Sequence, residues 1–248
     1  WMWRLFGWRV LLWYTHGSVP WSLRVSTVFV HHIFTATKES CRLASPKVLV
    51  TGHGIALDAY HPPPLAREPL LLMVARISPR KDQLAFVSLC ARIRESDPSL
   101  VFSAVILGDP RLPSDEAYAQ TVDAAIKRLS LDDVVRRESS KIGTALLEWY
   151  AHAALLVHPS QTGSLDKVVL EALACETPAL VVGAAYAGFP GVRIVSDLAE
   201  ERAQTVARAA LTHPAPDPQA RHGVQDRANL STLIEKITAA LANSHCFF

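Results

Sequence analysis

Two cations and one loop carry the chemistry open to this sequence. The apolar run LLLMVA at 70–75 ends in Arg76, and ISPRKD behind it supplies Arg80 and Lys81. A second run, ALLVH at 154–158, leads into the polar stretch PSQTGSLD. After that stretch Val168, Val169, Leu170, Ala172 and Leu173 are spaced as the core-facing side of a helix. A strand, a loop with Gly163 and Ser164, and a helix N-terminus make an anion site. The first N–H groups of a helix lack internal partners, and the dipole there favours negative charge. A guanidinium grips two oxygens at once and a lysine adds a compact charge, so Arg76 and Lys81 beside such a helix end suit a diphosphate. The plainer reading is a strand-to-helix turn capped by Ser164 or Asp166, with both cations solvated. Glu171 is the one carboxylate on the apolar helix, and the local sequence offers it no partner. Burial would cost it free energy unless it were hydrogen-bonded. Accepting the vicinal hydroxyls of a nucleotide ribose would satisfy it, as acidic residues do in dinucleotide folds; a structural partner is the alternative.

These residues need strand ends to hold them. Strands are expected at 9–14, 33–36, 47–50, 70–75, 100–108, weakly near 134–135, then at 154–158, 179–183 and 192–195. Helices are expected at 22–30, 38–43, 82–95, 115–129, 145–152, through the 168–175 segment, at 198–211 and at 230–242, with a proline-rich loop at 214–222. Alternation at this spacing predicts α/β architecture with a parallel sheet covered on both faces, whose ligands sit beyond the carboxyl ends of the strands. Pro62, Pro63, Pro64 and Pro69 cannot join a helix or a central strand, so 62–69 reads as a linker. It divides an incomplete α/β unit at 1–61 from a Rossmann-like unit at 70–248.

Composition narrows the classes. The 248 residues are 50% hydrophobic and 19% charged, as in a globular chain, and the net charge of +2 makes no case for nucleic acid. Charge is uneven, however. Residues 1–60 hold Arg4, Arg9, Arg24, Lys38, Arg42 and Lys47 against Glu39 and Asp58. This basic front also carries Trp1, Trp3, Trp8, Trp13 and Trp21. It suits anionic lipid or a phosphorylated substrate; the simpler expectation is that the tryptophans fill a core. Cys41, Cys90, Cys175 and Cys246 are scattered without a CxxC pair, which suggests neither zinc nor a disulfide framework and fits a reducing, cytoplasmic compartment. No uncharged apolar stretch reaches the roughly 18 residues that span a bilayer. WMWRLFGWR has no cleavable signal pattern, and the absence of an initiator Met leads us to expect a longer parent chain.

VARISPRKDQ, VILGDP and HPSQTGSLDKVVLEALACETPALVV closely resemble the C-terminal domain of retaining glycosyltransferases of family 4, with the two-domain GT-B architecture. The resemblance covers residues 9 to about 242 and is most specific at 158–182. It implies transfer of a sugar from a nucleotide diphospho-sugar to an acceptor hydroxyl, with no cofactor and no essential metal. Arg76 and Lys81 resemble the family's diphosphate-binding pair, and Glu171 the ribose-contacting second glutamate of its Glu-x7-Glu motif. Backbone groups of Ser164, Leu165, Asp166, Lys167 and Val168 would cradle diphosphate and sugar. Gly163 stands where the first motif glutamate, which contacts the transferred sugar, would fall; Asp166 is the nearby candidate to replace it. WYTHG at 13–17 and VTGHGIALDAYHP at 50–62 resemble the rear of the N-terminal domain. There His16 resembles the active-site histidine facing the donor sugar, with a turn histidine as the alternative, while His53 reads as a cap of the GHG turn. No carboxylate pair is spaced for double displacement, which agrees with a front-face mechanism using donor diphosphate as base. The acceptor would be a glycan or a lipid-linked sugar. Two other functions share the pattern: a non-catalytic nucleotide-sugar-binding module and a sugar-nucleotide epimerase.

Overall fold

The structure is a computed structural model describing residues 2–160 and 164–242. Gly163 and Cys246 therefore lie outside the described residues.

Two parallel sheets contain the named strands. After a single turn at Met2–Leu5 (α1), Leu11–Trp13 (β1), His32–Thr35 (β2) and Val48–Val50 (β3) pair in the order β1-β2-β3. Trp21–Phe29 (α2) connects the first two strands and buries Leu23 beside Ile33 and Cys41. The larger sheet comprises Glu68–Val74 (β4), Ser103–Leu107 (β5), Val135–Glu138 (β6), Ala153–His158 (β7), Ala179–Val182 (β8) and Val192–Val195 (β9). Its order is β6-β5-β4-β7-β8-β9, and each neighbouring pair is parallel. The chain builds outward from β4 to one edge, then returns to its other side with β7 and builds toward the opposite edge. Where the direction reverses, a crevice opens beyond the carboxyl ends of β4 and β7.

Helices cover both faces. Gln83–Ser96 (α3), Pro113–Arg128 (α4) and Glu201–Thr212 (α7) bury Phe86, Val122 and Ala207 against Leu71 and Met73 of β4. Thr144–His152 (α5), Lys167–Ala174 (α6) and Pro218–Arg227 (α8) bury Tyr150, Val169 and Val224 against Leu70 and Leu72. Burial on both sides explains why the strands read as unbroken apolar runs rather than alternating ones. Gly108 follows β5, beside the segment that leads from β4 to Arg76. A Cβ there would stand 1.9 Å from the Ala75 carbonyl oxygen, so only glycine permits the approach.

Four expectations fail for local reasons. No helix forms at 38–43: the Ser40 amide donates to Thr37 Oγ1 at 3.0 Å, a side-chain bond that competes with the helical ladder. The loop expected at 214–222 is instead the start of α8, whose Pro218 fills a first-turn position that needs no N–H. Asp217 caps it by accepting from Gln219 N and Ala220 N. Glu68 and Pro69, read as linker, begin β4; pairing with β5 starts only at Leu70 and the β7 register shifts between Glu68 and Leu71, so no ladder bond needs the proline nitrogen. Finally, the tryptophans do not fill a core: Trp3, Trp8, Trp13 and Trp21 are all exposed, Trp21 at 78%. The last helix, Leu230–Ala242 (α9), returns to the first unit. Ile55 donates to the Ala228 carbonyl and accepts from Leu230 N, and Lys236 Nζ reaches the Thr51 carbonyl.

Candidate functional site

Beyond the ends of β4 and β7 lies a cleft of about 1070 Å³, walled on its other side by the loop after β1. Arg76 enters it from the end of β4. Fully buried Gln83 fixes that segment: its Nε2 donates to the Arg76 carbonyl at 3.0 Å, and its Oε1 accepts from Ser78 N. The Arg76 guanidinium stays half-exposed, with Nε 3.9 Å from the buried Asp115 carboxylate. Pro79–Lys81 forms a short 3-10 turn whose Lys81 reaches the N-terminus of α6, and Asp82 caps α3 by accepting from Ala85 N.

Asp166 occupies the N-cap position of α6, yet its side chain makes no capping bond. It points into the cleft instead. One oxygen, Oδ2, pairs with Lys81 Nζ and accepts from His158 Nε2 at 3.0 Å; Oδ1 accepts from Ser164 Oγ. Burial alone would raise this carboxyl's pKa, but the bond and charge of His158 and those of Lys81 outweigh it and hold the group well below the usual carboxylate range. Behind it, buried Tyr186 clamps the backbone: its hydroxyl accepts from Asp166 N at 2.6 Å and donates to Asp166 O at 3.2 Å.

The opposite wall supplies Trp13, Thr15, His16, Gly17, Ser18 and His53. His16 is exposed and stacks edge-on to Tyr14. His53 is the more enclosed: burial and the Lys167 charge hold its imidazole below the ordinary value, against a hydrogen bond with the Leu165 backbone, so it is neutral near pH 7. Four cations line the cleft (Arg76, Arg80, Lys81, Lys167) against two carboxylates, Asp82 and Asp166, giving an anion-attracting surface. Among the described residues no three His, Cys, Asp or Glu side chains gather as metal ligands.

Of the residues singled out from sequence, the fold brings His16, Arg76, Lys81, Ser164, Leu165, Asp166 and Lys167 to this one cleft. Val168 and Glu171 do not line it. Glu171 has a partner that its local sequence did not show: Tyr150 donates to Oε2 at 3.1 Å, and Tyr60 lies near enough to feel the carboxylate's charge. Burial, reinforced by this carboxylate, raises the pKa of both phenols. Sequence reasoning missed His158, Tyr186, Gln83 and Asp115. His158 alone carried a signal, as the last residue of an otherwise apolar strand.

The same architecture recurs among solved structures. Anabaena Alr3699/HepE in complex with UDP superimposes with a TM-score of 0.81 at 15% identity, over 97% of this chain and 74% of that one. Sucrose-phosphate synthase from Thermosynechococcus elongatus gives 0.77 at 17%, over 98% and 70%. At such identities the likeness shows the fold, the GT-B architecture. In sequence, the D-inositol 3-phosphate glycosyltransferase of Kribbella flavida is 32% identical over 157 residues, 57% of this chain and 36% of that protein. The chain thus spans about a third of the length of the curated relatives it matches first. Residues 61–193 match the family described as "Glycosyl transferases group 1". That segment contains β4, β7, the Arg76–Lys81 turn and the whole α6 wall of the cleft. With more than half of its length so matched, the chain belongs to the group 1 glycosyl transferases.

Proposed function

We propose that this chain binds a nucleotide diphospho-sugar in the cleft and forms the donor side of a retaining, family 4 glycosyltransferase that acts on a glycan or lipid-linked acceptor hydroxyl. The observation that carries this reading is the convergence of Arg76, Lys81 and the N-terminus of α6 at the point where strand order reverses. Charge developing on the leaving diphosphate would meet these fixed positive groups. The two cleft carboxylates are already engaged, Asp82 as a helix cap and Asp166 with Lys81 and His158, which suits front-face transfer better than attack by an enzyme carboxylate. His16 faces the donor sugar across the cleft. The likeness to a structure that holds UDP-glucose supports the donor class.

Glu171, half-buried one turn along α6 from the Lys167 that lines the cleft, takes the ribose in this reading. A carboxylate offers about four lone-pair sites, so Tyr150 leaves it acceptor capacity. Calorimetry with nucleoside diphosphates in EDTA tests the whole site. We expect binding to persist without divalent metal, and Glu171→Gln to weaken it by about 1.5–3 kcal/mol. A 2′,3′-dideoxy ligand should bind wild type poorly and lose little more in the variant. Because Glu171 also accepts from Tyr150, the variant should lose about 1 kcal/mol of stability rather than gain any. Binding that needs added magnesium, or losses that simply add, would each refute its part of this assignment.

The exposed front supports a peripheral membrane contact. Trp21, Arg24 and Val28 share one face of α2, three and seven residues apart, with Trp21 and Val28 at 78% and 64% exposure. No helix among the described residues is long and apolar enough to cross a membrane. Vesicles containing anionic lipid should co-sediment the protein more than neutral vesicles do, and Trp21→Ser should abolish the difference. Equal sedimentation with both vesicle types would exclude the contact.

A further inference from the structure

We propose that the Asp166 carboxylate competes with the donor phosphate for Lys81 and so sets how tightly this cleft holds its nucleotide. The proposal rests on the diphosphate reading above. Three observations lead to it. An aspartate at a helix N-cap ordinarily turns back to accept from the first-turn amides; Asp166 does not, although Asp82 and Asp217 both do. The same carboxylate takes Lys81, one of the two lysines that line the cleft, and places its negative charge at the positive end of α6, where an incoming phosphate would gain most. The side chain is also free to turn without moving the helix, because the two Tyr186 hydrogen bonds fix the Asp166 backbone from behind.

His158 decides where the carboxylate goes. Its Nε2 holds the same oxygen that holds Lys81, from a position 3% exposed at the end of β7. When a phosphate oxygen takes Lys81, the Asp166 carboxylate keeps His158 and Ser164 Oγ as donors, so it is not left buried and unpaired. Exchange therefore costs one ion pair and the repulsion between two anions near one helix end. Like charges so placed oppose binding. Removing the carboxylate lifts both costs.

Two variants test this. Asp166→Asn is nearly isosteric; Asp166→Ser removes the charge and keeps a side chain that caps a helix well, which guards against a folding defect. UDP, GDP and ADP binding to wild type and both variants would be measured by calorimetry, with thermal melts confirming that each is folded. For whichever base binds, we expect about five- to tenfold tighter binding in both variants. The gain should shrink when Lys81 is already alanine, since only the repulsion between carboxylate and phosphate is then left to relieve. A folded variant that binds as wild type does, or more weakly, overturns the proposal and leaves the diphosphate site standing. So does a gain that persists in full on the Lys81→Ala background. If neither wild type nor any variant binds a nucleoside diphosphate, the diphosphate reading falls and this proposal with it.

Discussion

Replacing Arg76 and Lys81 together by alanine is expected to lower nucleoside-diphosphate affinity by about 3–6 kcal/mol, the sum of two charge-assisted contacts. For a ligand that binds wild type at about 1 μM, this leaves a dissociation constant of about 0.2 to 25 mM, at or beyond the reach of calorimetry. The fold should tolerate the change. Arg76 is half-exposed and its approach to Asp115 is long at 3.9 Å, while Asp115 keeps the amides of Arg111 and Leu112. Lys81 leaves Asp166 with His158 and Ser164. Each cation would count for something different. Arg76 offers a planar fork already open to the cleft, so Arg76→Ala should cost the larger share. Lys81 must first release Asp166, so its net contribution is reduced by that exchange. Calorimetry on the two single variants and the double variant gives both numbers, and circular dichroism tests the fold. Retained binding in the folded double variant would remove the diphosphate from this cleft altogether.

How far the sequence led can be judged at particular residues. The strands of the larger sheet were legible because burial on two faces leaves a continuous apolar run, and their ends named Arg76, Lys81 and the 158–166 loop without any coordinates. Resemblance to family 4 added His16, which nothing in its own spacing identifies. Interactions between distant segments were not legible. Glu171 meets Tyr150 from α5, 21 residues away, and Tyr60 from the segment before the linker. The Lys81–Asp166 pair spans 85 residues. Sequence placed both groups at one diphosphate, yet could not show that they hold each other. Prolines misled in two opposite ways. Pro218 starts a helix and Pro69 sits in a strand, because a missing N–H is harmless where no ladder bond is due. The tryptophans misled because size and apolarity favour burial only when a partner surface exists, and the described residues leave Trp3, Trp8 and Trp21 facing solvent.

In sequence Arg67 is only part of the linker, yet its loss should cost more stability than the loss of Arg76, Lys81, Asp166 or Glu171. Its Nη1 donates to the Tyr150 carbonyl at 2.5 Å, the Ala153 carbonyl at 2.9 Å and Thr177 Oγ1 at 2.7 Å, and its Nη2 to the Cys175 carbonyl at 2.7 Å. Those acceptors stand at the C-terminal ends of α5 and α6 and at the start of β7, where helix carbonyls lack internal partners and a cation meets the negative end of the dipole. Burial lowers the guanidinium pKa, but the group remains charged throughout the working pH range. Arg67→Met keeps much of the apolar stem and leaves these acceptors without their donor. The cost should be about 3–5 kcal/mol, lowering the melting temperature by roughly 10 °C. Arg67→Lys should recover only part of this, since one ammonium cannot reproduce a fork spread over four acceptors. Cys175 is the C-cap of α6, and the other end of that helix faces the cleft, so the variant also asks whether Arg67 aims the site or merely holds the chain together. If it only stabilises, saturating nucleotide should raise the melting temperature of variant and wild type by similar amounts, because a ligand stabilises by its own affinity for the folded state. A smaller rise in Arg67→Met would mean that the helix end has lost its aim. An unchanged melting temperature would show that water replaces the guanidinium at no cost, and that the linker is as passive as its prolines suggest.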